Sequence, residues 1–214
     1  MRMGKLAVVR GSSGQSLVET VLITPLLLIL VLNAVNFGYF FLVILNLTAA
    51  PRAGVEYSIQ GFDTPSAISL PLAGPPTPCG VGNTAGCLSV SYLTYRDMTG
   101  ALNNPTGASL QVCSPTNLNS SKSGVNGTGV NQVANCVTCS GSSCGSVGAG
   151  SGVGTPPAHA DPEAPSFVLN RVDVTYTFTP LIPGTPFNIV VLAACGGPGT
   201  SCTFSRHAEM RVMN

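Results

Sequence analysis

VLITPLLLILVLNAVNFGYFFLVILNL, residues 21–47, decides the architecture, because from Val21 to Leu47 no side chain carries a charge. At about 1.5 Å per residue, a helix of this length rises roughly 40 Å, more than the ~30 Å hydrocarbon core of a bilayer requires. A buried helix of a soluble protein does not stay apolar on every face for so many turns. A cleaved secretory signal is the next competitor, since Thr48-Ala49-Ala50 has the small residues of a cleavage site. The apolar stretch is, however, about twice the usual 7–15 residues of a signal core, and Pro51 would follow the cut directly. The run therefore predicts a single transmembrane helix, long enough to cross with tilt. Inside it, Pro25 lacks an amide hydrogen and predicts a kink or loosening near the start. Asn33, Asn36 and Gly38 interrupt the apolar face and predict packing against other helices in the membrane.

Orientation follows from Arg2, Lys5 and Arg10, which precede the run without an acid among them. Positive residues stay on the cytoplasmic side, so the rest of the chain is expected outside. The organisation is then a basic cytoplasmic leader (1–14), a transmembrane and juxtamembrane helix (15–60), and an extracytoplasmic head (61–214) with long loops at 115–165. At 214 residues this is room for one head on one stalk.

Only 8% of residues are charged, Trp is absent, and Gly and Pro number 25 and 17, so the head is expected to be loop-rich around a small core. A formal net charge of +1, with no cluster of Lys or Arg, excludes a phosphate-tracking surface and hence nucleic acid as a partner. The eight cysteines, Cys79, Cys87, Cys113, Cys136, Cys139, Cys144, Cys195 and Cys202, all lie beyond the apolar run. That asymmetry places the head in an oxidising compartment, where disulfides compensate for thin apolar content. Eight thiols permit on the order of a hundred pairings. Cys79 with Cys87 and Cys195 with Cys202 are favoured because each pair brackets a turn-rich segment, leaving Cys113, Cys136, Cys139 and Cys144 to pair among themselves. A zinc site at Cys136-x-x-Cys139, completed by Cys144 and either Cys113 or His159, lacks a second closely spaced pair, so no metal is expected. A thioredoxin-like redox role fails because Ser140-Gly141-Ser142-Ser143 reads as loop, not as the start of a helix.

Val172, Val174, Tyr176 and Phe178 alternate with Asp173, Thr175 and Thr177, the period of a strand with one buried face. Phe187–Ala194 and Thr203–Val212 read as the next strands, joined at Gly196-Gly197-Pro198-Gly199. Leu88–Tyr95 and Ser109–Cys113 add two more, and Asn117–Pro165 reads as extended surface loop. The fold class is thus α+β: a long N-terminal helix and a small, disulfide-bearing antiparallel head.

His159 and His207 are the two histidines, one in a proline-rich loop and one on an expected edge strand, and Asp161 with Glu163 read as solvated acids. No nucleophile elbow, zinc-protease helix, phosphate loop or dinucleotide fingerprint occurs. Neither a cofactor nor enzymatic activity is expected.

The most informative stretch stands just before the apolar run: Gly14-Gln15-Ser16-Leu17-Val18-Glu19, a glycine five residues ahead of a carboxylate. Glycine lets a peptidase approach the backbone closely. A carboxylate at the edge of the hydrocarbon is costly and calls for a partner. Cutting between Gly14 and Gln15 would free an α-amino group able to pair with Glu19 of a neighbouring subunit. Ser16-Leu17-Val18-Glu19 is also a capping box, a purely structural use of the same glutamate. Gly11 serves less well, since Ser16 stands at its corresponding position.

With its basic leader, this stretch resembles the cleavage region of type IV prepilins, cut after glycine to leave glutamate as the fifth mature residue. Two further stretches narrow the resemblance to TadE-like proteins: Pro25-Leu26-Leu27-Leu28 with Asn36-Phe37-Gly38, and Thr48-Ala49-Ala50-Pro51-Arg52-Ala53-Gly54-Val55-Glu56-Tyr57. Val172–Phe178, Pro180-Leu181-Ile182-Pro183 and Ser205–Val212 are similar to the closing strands of that family. The likeness covers roughly 10–60 and 168–214, and Thr20 stands where major pilins of these systems often carry tyrosine, which favours a minor subunit.

The resemblance implies a minor pseudopilin of a tight-adherence pilus or secretion apparatus, a structural assembly component of the bacterial inner membrane. Implied partners are other Tad pilins and pseudopilins, the prepilin peptidase, inner-membrane platform proteins and the lipid bilayer. The alternative is a membrane-tethered, disulfide-rich adhesin or receptor-binding module that uses the 115–165 loops.

Overall fold

The structure, a computed structural model, describes residues 13–60, 90–115, 125–140, 143–144, 160–195 and 202–211. Helix α1 runs Ser13–Gln60 and passes without a break through Pro25 and Pro51. It is apolar enough to cross a membrane, with the candidate span at Leu17–Ile59. Ser16 lies inside the helix and not at its cap, so the capping-box reading of Ser16 and Glu19 does not hold.

Two environments divide α1. From Leu17 to Leu28 every side chain is exposed. From Asn33 onward one face is covered, with Phe40, Val43, Leu47, Ala50 and Val55 buried in the main core. Each fully buried Val or Leu contributes roughly 1.5–3 kcal/mol. The length of the charge-free run thus has a simpler cause than tilt: its second half is both helix and head core.

Helix α2 (Val90–Thr99) replaces the strand expected at Leu88–Tyr95; Leu88 and Ser89 lie outside the described residues. Val90, Thr94 and Met98 are buried at a spacing of four, which sets one helical face against α1.

The strands that follow are β1 (Ala108–Cys113), β2 (Val125–Asn126), β3 (Val133–Ala134), β4 (Cys136–Ser140), β5 (Ser143–Cys144) and β6 (Leu169–Thr177). Helix α3 (Ile189–Ala194) and β7 (Thr203–Arg211) close the described chain. Among the described residues, the main sheet has the order β5-β4-β1-β6-β7, and β2 pairs with β3 in a separate ribbon. All pairings are antiparallel. Leu110 stands between Cys139 and Val174, and Val112 between Val137 and Val172, so these side chains share the face that meets α1.

β1, β6 and β7 occupy the stretches from which strands were expected. Two further expectations differ. Phe187–Ala194 is not a strand: a 3-10 turn at Thr185–Phe187 leads into α3. Ile189-Val190-Val191 has strand-forming residues but no alternation, and a continuous apolar run does not distinguish the two states. Residues 117–165 are not loop throughout, since β4 lies within the main sheet and the β2–β3 ribbon also falls there. The apolar half of β4 is largely cysteine, a residue more readily read as a staple than as core, although Cys139 is 1% exposed in the main cluster.

Candidate functional site at the junction of anchor and head

β6 runs antiparallel to α1. Near the top, Asn170 Nδ2 donates to Ser58 Oγ at 3.0 Å. Near the bottom, Phe178 packs edge-on to Phe40 with centroids 5.4 Å apart. Phe204 of β7 meets Phe40 at 5.3 Å, and Tyr39 meets Phe178 at 5.7 Å. Four rings from three elements thereby lock helix to sheet, each such pair adding about 0.5–1.5 kcal/mol beyond its burial. Asn103 closes the cluster: its amide donates to Tyr39 Oη (2.7 Å), its Oδ1 accepts from Tyr176 Oη (3.1 Å), and its Nδ2 donates to the Thr179 carbonyl (3.0 Å). Burial pushes the Tyr176 phenol above its ordinary pKa, so it remains a neutral donor.

Below the rings, the chain leaving β6 folds under the sheet as a proline-rich loop. Pro180, Pro183 and Pro186 have no amide hydrogen, so this segment does not continue the ladder, and its carbonyls need other donors. Helix α1 supplies them. Asn36 Nδ2 donates to the carbonyls of Ile182 (3.0 Å) and Phe187 (2.9 Å) and contacts Asn188 Oδ1, while Asn36 Oδ1 accepts from Ile182 N (2.9 Å). Asn33 Nδ2 donates to the Pro186 carbonyl at 2.7 Å. Asn188 Nδ2 ties the loop internally to the Ile182 and Gly184 carbonyls.

Asn33 and Asn36, read from the sequence as contacts to other helices, therefore find their partners in this chain's own head. Gly38 faces outward, with nothing within 4 Å of where a Cβ would stand. Gly14 and Gln15 occupy the first turn of α1, and Glu19 is exposed, with no bonding partner among the described residues. The leader before Ser13, His159, the turn at 196–199 and the Cys79–Cys87 pairing lie outside the described residues. Sequence reading missed Asn103 and Asn188; single asparagines between secondary-structure elements carry no periodic signal.

Disulfides hold the upper sheet and the lower loop. Cys113 is bonded to Cys136 across neighbouring strands, and Cys195 to Cys202 between α3 and β7. Cys139, also disulfide-bonded, faces Cys144 in the β4–β5 register. Cys113, Cys136 and Cys139, weighed as zinc ligands, are thus already covalently engaged. His207 lies exposed on edge strand β7, opposite Asp173.

The upper end carries the charge. Arg171, fully buried, is bonded to Asp173 (2.6 and 2.8 Å) and to Glu209 (2.9 Å). Arg211 grips Asp161 through two bonds of 2.7 and 2.8 Å, lies 3.2 Å from Glu163 and covers the Phe167 ring. The bonds from Arg211, then that from the Glu163 amide, hold the Asp161 carboxyl below the ordinary carboxylate range. Asp161 is thus a buried structural clamp and not a solvated loop acid, whereas Glu163 stays exposed at the edge of the cluster.

Residues 14–56 match the model of the TadE-like protein family. This segment is TadE-like. The match begins at Gly14 and takes in Glu19, the whole apolar run and the Ala-Ala-Pro-Arg-Ala-Gly stretch. The likeness to the family's closing strands, read at 168–214, lies outside the matched span. No curated protein and no solved structure matches the chain. In the TadE-like segment, Arg52 and Glu56 are exposed while Pro51, Gly54 and Val55 are buried against the head.

Proposed function

We propose that this protein is a minor pseudopilin, a membrane-anchored assembly component of a tight-adherence pilus or secretion apparatus, with a structural role and not a catalytic one. The observation that carries the reading is the family match from Gly14, together with a basic stretch before it and, five residues after it, an exposed Glu19 with no bonding partner among the described residues. The N-terminus stays cytoplasmic, the helix crosses the inner membrane, and the head lies outside. A prepilin peptidase cuts between Gly14 and Gln15. The new ammonium at Gln15 then meets Glu19 of a neighbouring pilin or pseudopilin, with the exposed face of α1 around Gly38 alongside and the platform proteins as assembly partners.

N-terminal mapping of protein from native membranes tests this. A mature terminus at Gln15, together with loss of fibre formation in Glu19→Ala, is the expected result. A terminus upstream of Gly14, or fibres unchanged by Glu19→Ala, overturns it.

A further inference from the structure

The ion pairs of the head are gathered at one end, with Arg206 on β7 and Arg96 and Asp97 on α2 outside that cluster. Asp161, Glu163, Arg171, Asp173, Glu209 and Arg211 gather at the end where Asn170 meets Ser58, far along α1 from the exposed span. The other end is built from the described residues among 174–195 and 202–205, and no residue from Val174 to Ser205 is charged. On it, Leu181, Ile189 and Val190 are 50, 59 and 47% exposed. Ile189 and Val190 also wall an open groove of about 410 Å³ whose other lining residues, Leu30, Asn33, Ala34 and Phe37, belong to α1.

This apolar patch continues the exposed surface of the span without a gap. About 20 residues cross the hydrocarbon core, so a crossing that begins at Leu17 ends at about Asn36. That is the level at which Asn33 and Asn36 fasten the loop. A soluble face would not leave a β-branched pair and a leucine open beside a membrane helix; an interfacial one would.

We propose that the head sits on the outer face of the bilayer, with Leu181, Ile189 and Val190 immersed in the lipid interface and an acyl chain lying along the groove against Phe37. The inference rests on α1 spanning the membrane and adds a second lipid contact, made by the head itself. Asn33 and Asn36 transmit that contact to the helix, so the sheet is held at a fixed height and tilt above the leaflet.

The absence of tryptophan makes the test direct. Single variants Ile189→Trp, Leu181→Trp, Val130→Trp and Leu26→Trp of the full chain are placed in vesicles of phosphatidylcholine and phosphatidylglycerol with brominated acyl chains. Val130, 69% exposed beside the β2–β3 ribbon, reports the upper end, and Leu26 the span. The expected result is strong quenching of Leu26→Trp, and several-fold greater loss of emission for Ile189→Trp and Leu181→Trp than for Val130→Trp. Quenching at residue 26 with none at 189 and 181 overturns the seat but leaves the span intact. No quenching at residue 26 removes both. Blue-shifted but unquenched emission at 189, varying with the protein-to-lipid ratio, assigns the patch to a second copy and also overturns the proposal.

Discussion

Gly54 of α1 and Thr94 of α2 meet through the space that any side chain at residue 54 would fill: a Cβ there would drive into the Thr94 hydroxyl and stand 3.3 Å from Val172 Cγ1 on β6. One glycine thus sets how closely two helices and the sheet approach, and it lies in the matched TadE-like segment.

Replacing it tests the fit. Gly54→Ala is expected to destabilise the head by about 1–3 kcal/mol through overpacking. Gly54→Ala with Thr94→Ala should recover part of the loss, because the nearest obstacle is removed. Chemical denaturation in detergent micelles, analysed as a double-mutant cycle, reads the coupling.

Asn36→Leu keeps the side chain's bulk and removes its hydrogen bonds. The Ile182 amide then loses its acceptor and the Ile182 and Phe187 carbonyls lose a donor, at about 1–3 kcal/mol for each group left buried and unpaired. Hydrogen exchange should accelerate at Ile182 and its neighbours while the amides of β1 and β6 stay protected.

Asp161 predicts an acid limit to stability. Its folded pKa lies below its unfolded value, so the Arg211 and Glu163 bonds stabilise the head at pH above the unfolded value, near about 4, and this is lost as pH falls through the folded one. Melting curves should show Asp161→Asn less stable than the parent at neutral pH, with the gap narrowing in acid.

Two of the disulfides should differ in weight. Loop closure over a sequence separation of 23 is worth about 3 kcal/mol and over 7 about 2 kcal/mol on the chain-entropy estimate. Replacing Cys113 and Cys136 together by Ala should therefore lower the denaturation midpoint more than replacing Cys195 and Cys202.

The strand alternation of Val172, Val174 and Tyr176 was legible because a sheet with one apolar face repeats every two residues. Asp173 kept that pattern yet is 1% exposed, since Arg171 pairs with it on the other face. Ile189–Ala194 was misread because a short apolar run has no period to arbitrate between strand and helix. β4 was missed because its buried residues on either face include a cysteine, Cys136 and Cys139, and glycine and serine follow directly. The polar joint at Asn33 and Asn36 was visible as an interruption of the apolar run, but not its partner, which lies some 150 positions away.

By itself the sequence determined that this chain carries one long charge-free helical run, a glycine–glutamate pair ahead of that run and an oxidised antiparallel head, since charge and period are local properties of consecutive residues. Only the tertiary structure decided where anchor ends and head begins. That boundary falls inside a single helix, at Asn33, because it depends on which carbonyls of a distant loop need donors and which faces of the helix the sheet covers.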